Sequence, residues 1–93
     1  MQTLEFDTFV MGTDKEAALK PLEEAAEVFG AWQVYDTTHE DKNTVMEQWL
    51  ILDVADELAD VVQAACNLAA RYGIDLDAAM ERCRERNHRR GRY

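Results

Sequence analysis

The sequence predicts an all-α fold, an antiparallel helical bundle completed by dimerisation. Three observations carry this expectation. Two helix-start signatures, Thr13 with Glu16 and Thr44 with Glu47, each open a long stretch of helical periodicity. No strand-like alternation of useful length occurs, and one Pro and four Gly are too few for a turn-rich β chain. With 93 residues, 47% of them apolar, the chain carries more apolar surface than one small domain readily hides.

The elements follow in order. Residues 1–12 are open between a short helix and an extended arm, with Leu4, Phe6 and Phe9 as apolar points. A first helix starts near Asp14 and runs to about Tyr35. Pro21 inside it lacks an amide donor and should kink it or make it restart. The polar run Asp36 to Asn43 reads as a loop. The longest helix spans Val45 to Tyr72, with Gly73 as its left-handed stop. Asp75 caps a third helix to about Arg86, and residues 87–93 form a basic tail. The whole chain, 1–93, is one domain without internal repeats.

Composition narrows the function classes. The longest apolar window, Val61 to Ala70, is interrupted by Gln63 and Asn67 and falls short of the ~20 residues a membrane helix needs. No basic-then-apolar leader opens the chain, so neither a membrane nor an export route is expected. Cys66 and Cys83 lack CxxC spacing and read as reduced thiols of a cytoplasmic protein. The net charge is −9, but it is divided unevenly. Six Arg against Glu81 and Glu85 give residues 81–93 a charge of +4, whereas residues 1–80 carry −13. An acidic body argues against a nucleic-acid polymer as partner, because duplex binding neutralises phosphates with Lys and Arg. Alone, an Arg-rich end is most simply a solvated helix.

The acids fall in stripes. At about 100° per residue, Lys20, Glu23, Glu24 and Glu27 share one arc of the first helix. Ala25, Val28, Phe29, Trp32 and Tyr35 occupy the adjoining arc and are expected in the core. On the second helix Asp53, Asp56, Glu57, Asp60, Asn67 and Arg71 share a stripe. Beside it lie Ile51, Val54, Leu58, Val61, Val62, Ala65, Leu68, Ala69 and Tyr72. Acids without a task usually point away from a core rather than border it. Like charges at i,i+4, as in Glu23/Glu27, Asp53/Glu57 and Asp56/Asp60, each cost a few tenths of a kcal/mol. A divalent cation between facing stripes would remove that cost, and hard carboxylate oxygens suit Mg²⁺, with Mn²⁺ as the alternative. The Glu-x-x-His of a di-iron bundle is absent, since His39 and His88 lie off the stripes.

Two segments, KPLEEAAEVFGAW (Lys20 to Trp32) and DELADVVQAACNLAARYGID (Asp56 to Asp75), resemble the MazG-like all-α nucleoside triphosphate pyrophosphohydrolases. The family pattern is EExxE on one helix and ExxD on the next, here Glu23, Glu24, Glu27 and then Glu57, Asp60. The ending ERNHRRGRY also resembles the Asn- and Arg-containing tail of short members, and the likeness covers roughly residues 15–93. The gap between the motifs is on the long side, which the polar loop can absorb. The resemblance implies cleavage of a nucleoside triphosphate to the monophosphate and pyrophosphate by metal-activated water attacking the α-phosphate. It also implies Mg²⁺ and a homodimer or dimer of dimers, and matches Glu24, Glu27, Glu57 and Asp60 to the metal ligands. Glu23 is the remaining acid of the motif, and Glu23 or Glu24 is the candidate proton acceptor. Lys20, Arg71, Asn87 and the tail arginines, Arg90 among them, are candidates for the phosphates. Trp49, on the acid side of the second helix, is a candidate to stack a base or to anchor a dimer contact. Asn67 is equally open between substrate and a neighbouring helix.

Two rival readings stand beside this one. Phosphoribosyl-ATP pyrophosphohydrolase of histidine biosynthesis shares the paired acid motifs, and the Arg-rich tail favours the MazG-like branch over it. A non-catalytic helical dimerisation module would use the same apolar arcs with the acids merely solvated.

Overall fold

The structure, a computed structural model, describes residues 7–38 and 44–93. Three helices account for most of them: α1 (Asp14–Thr37), α2 (Thr44–Arg71) and α3 (Leu76–Arg89). No strand occurs among the described residues, so the all-helical class is as expected.

Local chemistry sets the helix ends. The Thr13 hydroxyl accepts from the Glu16 amide at 3.2 Å and donates to the Glu16 carboxylate at 3.1 Å. This cap satisfies one of the free amides of the first turn. α1 continues through Pro21 without restarting. It runs two residues past Tyr35 because the Thr37 and Thr38 hydroxyls donate to the carbonyls of Gln33 and Val34, at 2.7 and 2.6 Å. The proposed capping role of the Thr44 side chain lies outside what is described, as does most of the polar loop.

Gly73 ends α2 at φ 62°. The Ile74 amide donates to the Ala69 carbonyl at 2.9 Å and the Gly73 amide to Ala70 at 3.3 Å, the paired bonds of a Schellman stop. The same device recurs at Gly91, φ 72°, where Arg92 and Gly91 donate to Asn87 and His88. α3 therefore runs three residues beyond Arg86, and Asn87, His88 and Arg89 belong to a helix rather than to a tail.

α1 and α2 pack along one another, whereas α3 barely touches either. Their antiparallel sense is fixed at both ends. Tyr35 near the end of α1 donates to Glu47 near the start of α2 at 3.1 Å, and Asp14 at the start of α1 meets Arg71 at the end of α2 at 2.6 Å.

The packing face differs from the sequence expectation. Buried residues are Ala17, Ala64 and Ala69 with Glu24 and Asn67, and no large side chain is fully buried. The arc expected in the core of α1 is only partly covered: Val28 and Tyr35 are half-buried, but Ala25 is exposed and Phe29 and Trp32 are 57% and 45% exposed, stacked on each other at 5.8 Å. Of the apolar arc expected along α2, Ala69 is buried and Val54, Val61, Val62, Ala65 and Leu68 are half-buried, whereas Ile51, Leu58 and Tyr72, just past the helix end, are about half-exposed. The reason is geometric. The inward line passes through Ala17, Glu24 and Val28 on α1 and through Glu57, Ala64 and Leu68 on α2, between the acid stripe and the apolar arc, so the outer acids and the bulkiest apolar residues both stay open.

Segment 7–12 is not helical, and the expectations for residues 1–6, with Leu4 and Phe6, lie outside the described residues. Segment 7–12 is held by three α2 side chains at i, i+4 and i+8. Gln63 donates to the Asp7 carbonyl at 2.9 Å, Asn67 accepts from the Phe9 amide at 3.0 Å, and Arg71 donates to the Met11 and Gly12 carbonyls.

Candidate metal centre

The register of the helix pair brings the two acid motifs level. Ten residues on from Asp14 along α1 is Glu24, and ten back from Arg71 along α2 is Val61, within a turn of Glu57 and Asp60. One oxygen each from Glu24, Glu57 and Asp60 lies within 4.8 Å of the other two. Of the four expected ligands, these three converge.

Glu24 is only 8% exposed. Its Oε1 meets the Lys20 ammonium at 3.2 Å, and Lys20 also reaches Glu23 at 3.8 Å. The Glu24 hydrogen bond and charge raise the Lys20 pKa above its ordinary value. The Oε2 atoms of Glu24 and Glu57 are buried and have no hydrogen-bond partner. An unpaired buried acceptor costs roughly 1–3 kcal/mol, and more when charged. All donors are carboxylate oxygens, with no His or Cys in the set, which suits a hard cation such as Mg²⁺ or Mn²⁺. The residues present therefore fit a divalent ion, although acidic groups also cluster without one.

Glu27 stands beside this trio rather than in it. Close approach to Glu24, and then to Glu57, pushes its carboxyl above the usual range. A carboxylate only accepts, so a hydrogen bond between Glu27 and either neighbour needs a proton on one of the two. Ionised, it adds another oxygen facing oxygen. Glu23, the other candidate base, is mostly exposed and turned toward Lys20.

The remaining candidates are more scattered. Trp49 is 66% exposed, one turn before Asp53 on the acid side of α2. Asn67 is buried with its carbonyl oxygen shared by the Phe9 amide and Gln63. The Arg71 guanidinium is held by Asp14, Met11 and Gly12. In this structure both side chains fasten the N-terminal segment instead of lining the trio. Asn87 accepts from Arg92 at 2.8 Å and contacts Cys83 Sγ at 3.6 Å, and Arg90 caps α3. Both lie on the helix that stands apart from the trio's two helices.

One feature lies beyond the acid motifs. An open groove of about 430 Å³ runs beside Glu57, lined by Glu27, Gly30, Ala31, Val34, Asp53 and Asp56. The available sequence signal was the small pair Gly30–Ala31 one turn past Glu27, opposite the upper half of the α2 stripe.

No described helix is long and apolar enough to cross a membrane. Comparison with protein-family models, curated proteins and solved structures finds no match to this chain.

Proposed function

We propose that the chain is a Mg²⁺-dependent nucleotide pyrophosphohydrolase of the MazG-like all-α type, working in the cytoplasm on a nucleoside triphosphate. The observation that carries this reading is the trio Glu24, Glu57 and Asp60, drawn together from two helices with two buried oxygens unpaired. A structural network would satisfy those oxygens internally, whereas a cation-binding one leaves them free.

Glu24, Glu57 and Asp60 would hold the ion, with Glu27 completing the set when ionised. When bound, the ion neutralises the triphosphate and activates water for attack. In the hydrolysis a water oxygen bonds to the α-phosphorus, the bond to the bridging oxygen breaks, and pyrophosphate leaves. Glu23 or Glu24 would accept the water proton, and Lys20 would meet a phosphate oxygen from the same face of α1.

The reading includes a homodimer. The chain exposes 7424 Å², against about 5,500 Å² for a compact monomer of its mass. Its radius of gyration is 16.2 Å, against about 12 Å for a compact domain of this length. A second copy laid on the Phe29–Trp32 and Leu58–Tyr72 arcs would cover apolar surface on the scale of a standard interface.

The test is Mg²⁺-dependent pyrophosphate release from a panel of ribo- and deoxyribonucleoside triphosphates, repeated with Glu57→Gln. Activity confined to phosphoribosyl-ATP would move the chain to that pyrophosphohydrolase. The exposed apolar arc also favours a second reading, a non-catalytic dimerisation module, which stands if no nucleotide is cleaved and Mg²⁺ leaves the melting temperature unchanged.

A further inference from the structure

We infer that the groove over Gly30 and Ala31 seats the nucleoside part of the substrate, and that Gly30 is kept small to admit it. This rests on the pyrophosphohydrolase reading and specifies where the uncharged end of the substrate lies.

The groove begins at the proposed ion site, because Glu57 belongs both to the trio and to the groove lining. From Glu27 to Val34 it follows α1 for about 10 Å. Its volume of about 430 Å³ falls within the range of small-molecule sites, roughly 300–1,000 Å³.

Gly30 is the second observation. It sits deep inside α1, where glycine is the least favourable residue after proline. A Cβ placed there meets nothing within 4 Å. Neither a close helix crossing nor a left-handed backbone asks for glycine, so its small size serves space that the chain itself leaves open. A second copy is not the natural occupant. Around the helix Gly30 lies about 160° from Trp32 and about 100° from Phe29, so a partner on that apolar arc leaves the groove free.

Charge selects the occupant. Glu27, Asp53, Asp56 and Glu57 line the groove with no Lys or Arg among them. Phosphates would be repelled from it and belong at the ion. Carboxylates accept hydrogen bonds only, so Asp53 and Asp56 would take donors: sugar hydroxyls, ring N–H or amino groups. A nucleoside supplies these and carries no charge. Leu or Val at position 30 would fill the floor beneath it.

The experiment compares Mn²⁺-dependent binding of inorganic tripolyphosphate with that of nucleoside triphosphates, for the wild type, Gly30→Ala and Gly30→Leu. The wild type is expected to prefer a nucleoside triphosphate to tripolyphosphate. Gly30→Leu should lower nucleotide affinity roughly tenfold or more while tripolyphosphate binding stays the same. Gly30→Ala, which removes a helix-breaking residue without a clash, should melt about 4–8 °C higher and shows that the helix tolerates a side chain. Retained nucleotide preference in a folded Gly30→Leu protein overturns the groove assignment and leaves the ion site standing. A wild type that binds neither ligand with Mn²⁺ overturns both.

Discussion

Glu57→Gln should stabilise the metal-free chain and abolish its response to Mg²⁺. The trio's nearest oxygens are no more than 4.8 Å apart, a distance at which two unit charges repel by about 3.5 kcal/mol at an effective dielectric of 20 and about 0.9 kcal/mol in water. Glu57 takes part in two of the three pairs, so its neutralisation removes roughly 2–7 kcal/mol between those limits. Asp60 is exposed and Lys20 lies 3.2 Å from Glu24, and both features pull the value toward the lower end, about 2 kcal/mol. For a domain of this size that is a rise of about 8–16 °C in Tm. Mg²⁺ at 100 times its Kd would stabilise the wild type by a similar amount, about 2.7 kcal/mol. Scanning calorimetry at neutral pH measures both, first in EDTA and then in excess MgCl₂, with NaCl of equal ionic strength as the control. The opposite signs are the diagnostic feature: one substitution raises apo stability and removes the gain from metal. A variant that melts lower than wild type in EDTA would mean that the Glu57 carboxylate is stabilising as it stands. Equal Mg²⁺ responses in both proteins would place the ion elsewhere, and either result refutes the repulsive-cluster argument.

Glu27 gives a pH signature. Its raised pKa means that the native chain holds the proton more tightly than the unfolded one, so the stability present at acid pH is lost as pH rises through the folded value. In EDTA the Tm of Glu27→Gln should equal the wild type's below the ordinary glutamate range and exceed it by a growing margin above; a margin constant with pH would contradict this. Arg71→Ala removes the Asp14 ion pair and two carbonyl contacts, and should cost about 2 kcal/mol in urea unfolding while speeding hydrogen exchange at the Phe9 amide. An unchanged Mg²⁺ shift in that variant would mark Arg71 as a fastener of the N-terminal segment, and a lost one would return it to the ion site. Trp32→Glu should convert the proposed dimer to a monomer in sedimentation velocity, and an unaltered dimer would exclude the Phe29–Trp32 arc as the interface.

The helix boundaries were legible because each rests on a short-range device. Thr13, Gly73 and Asp75 act through bonds to residues within five positions, so the local sequence holds all of the information. The end of α3 was missed although Gly91 carries the same signal as Gly73, since an Arg-rich run reads as a tail when charge is weighed before capping. Helical periodicity assigns Glu24, Glu57 and Asp60 only to stripes shared with other acids, and it is the resemblance that narrows those stripes to the residues matched to metal ligands. Which faces meet is a different question. Periodicity centres the buried face on the most apolar arc, which sends Phe29 and Trp32 inward, whereas the structure turns each helix toward its acid stripe, so that Ala17, Glu24 and Ala64 are buried instead. The arm at 7–12 was undecidable locally, because its partners Gln63, Asn67 and Arg71 lie more than fifty residues away.

The inward position of Glu24 and Glu57 has an energetic consequence. Three alanines contribute little apolar burial, and a buried carboxylate with an unpaired oxygen opposes it. The α1–α2 pair thus holds its charged trio largely with half-buried side chains such as Val28, Val61 and Leu68, while Phe29, Trp32 and Leu58 leave apolar surface uncovered on the outer arc. On the proposed reading the two deficits are met separately: a cation relieves the repulsion between the helices, and a second copy covers the apolar arc. Each stabilises the same helix pair, so each should strengthen the other through it. Such a division also explains the groove's location. It opens on the flank of the helix pair away from Phe29 and Trp32, where assembly would leave it accessible and where only small side chains, Gly30 and Ala31, separate Glu27 from Val34. Most acids of the two stripes are exposed, so the burial of Glu24 beside half-buried Glu57, each with an unpaired oxygen, is the one feature that simple solvation of the acids leaves unexplained.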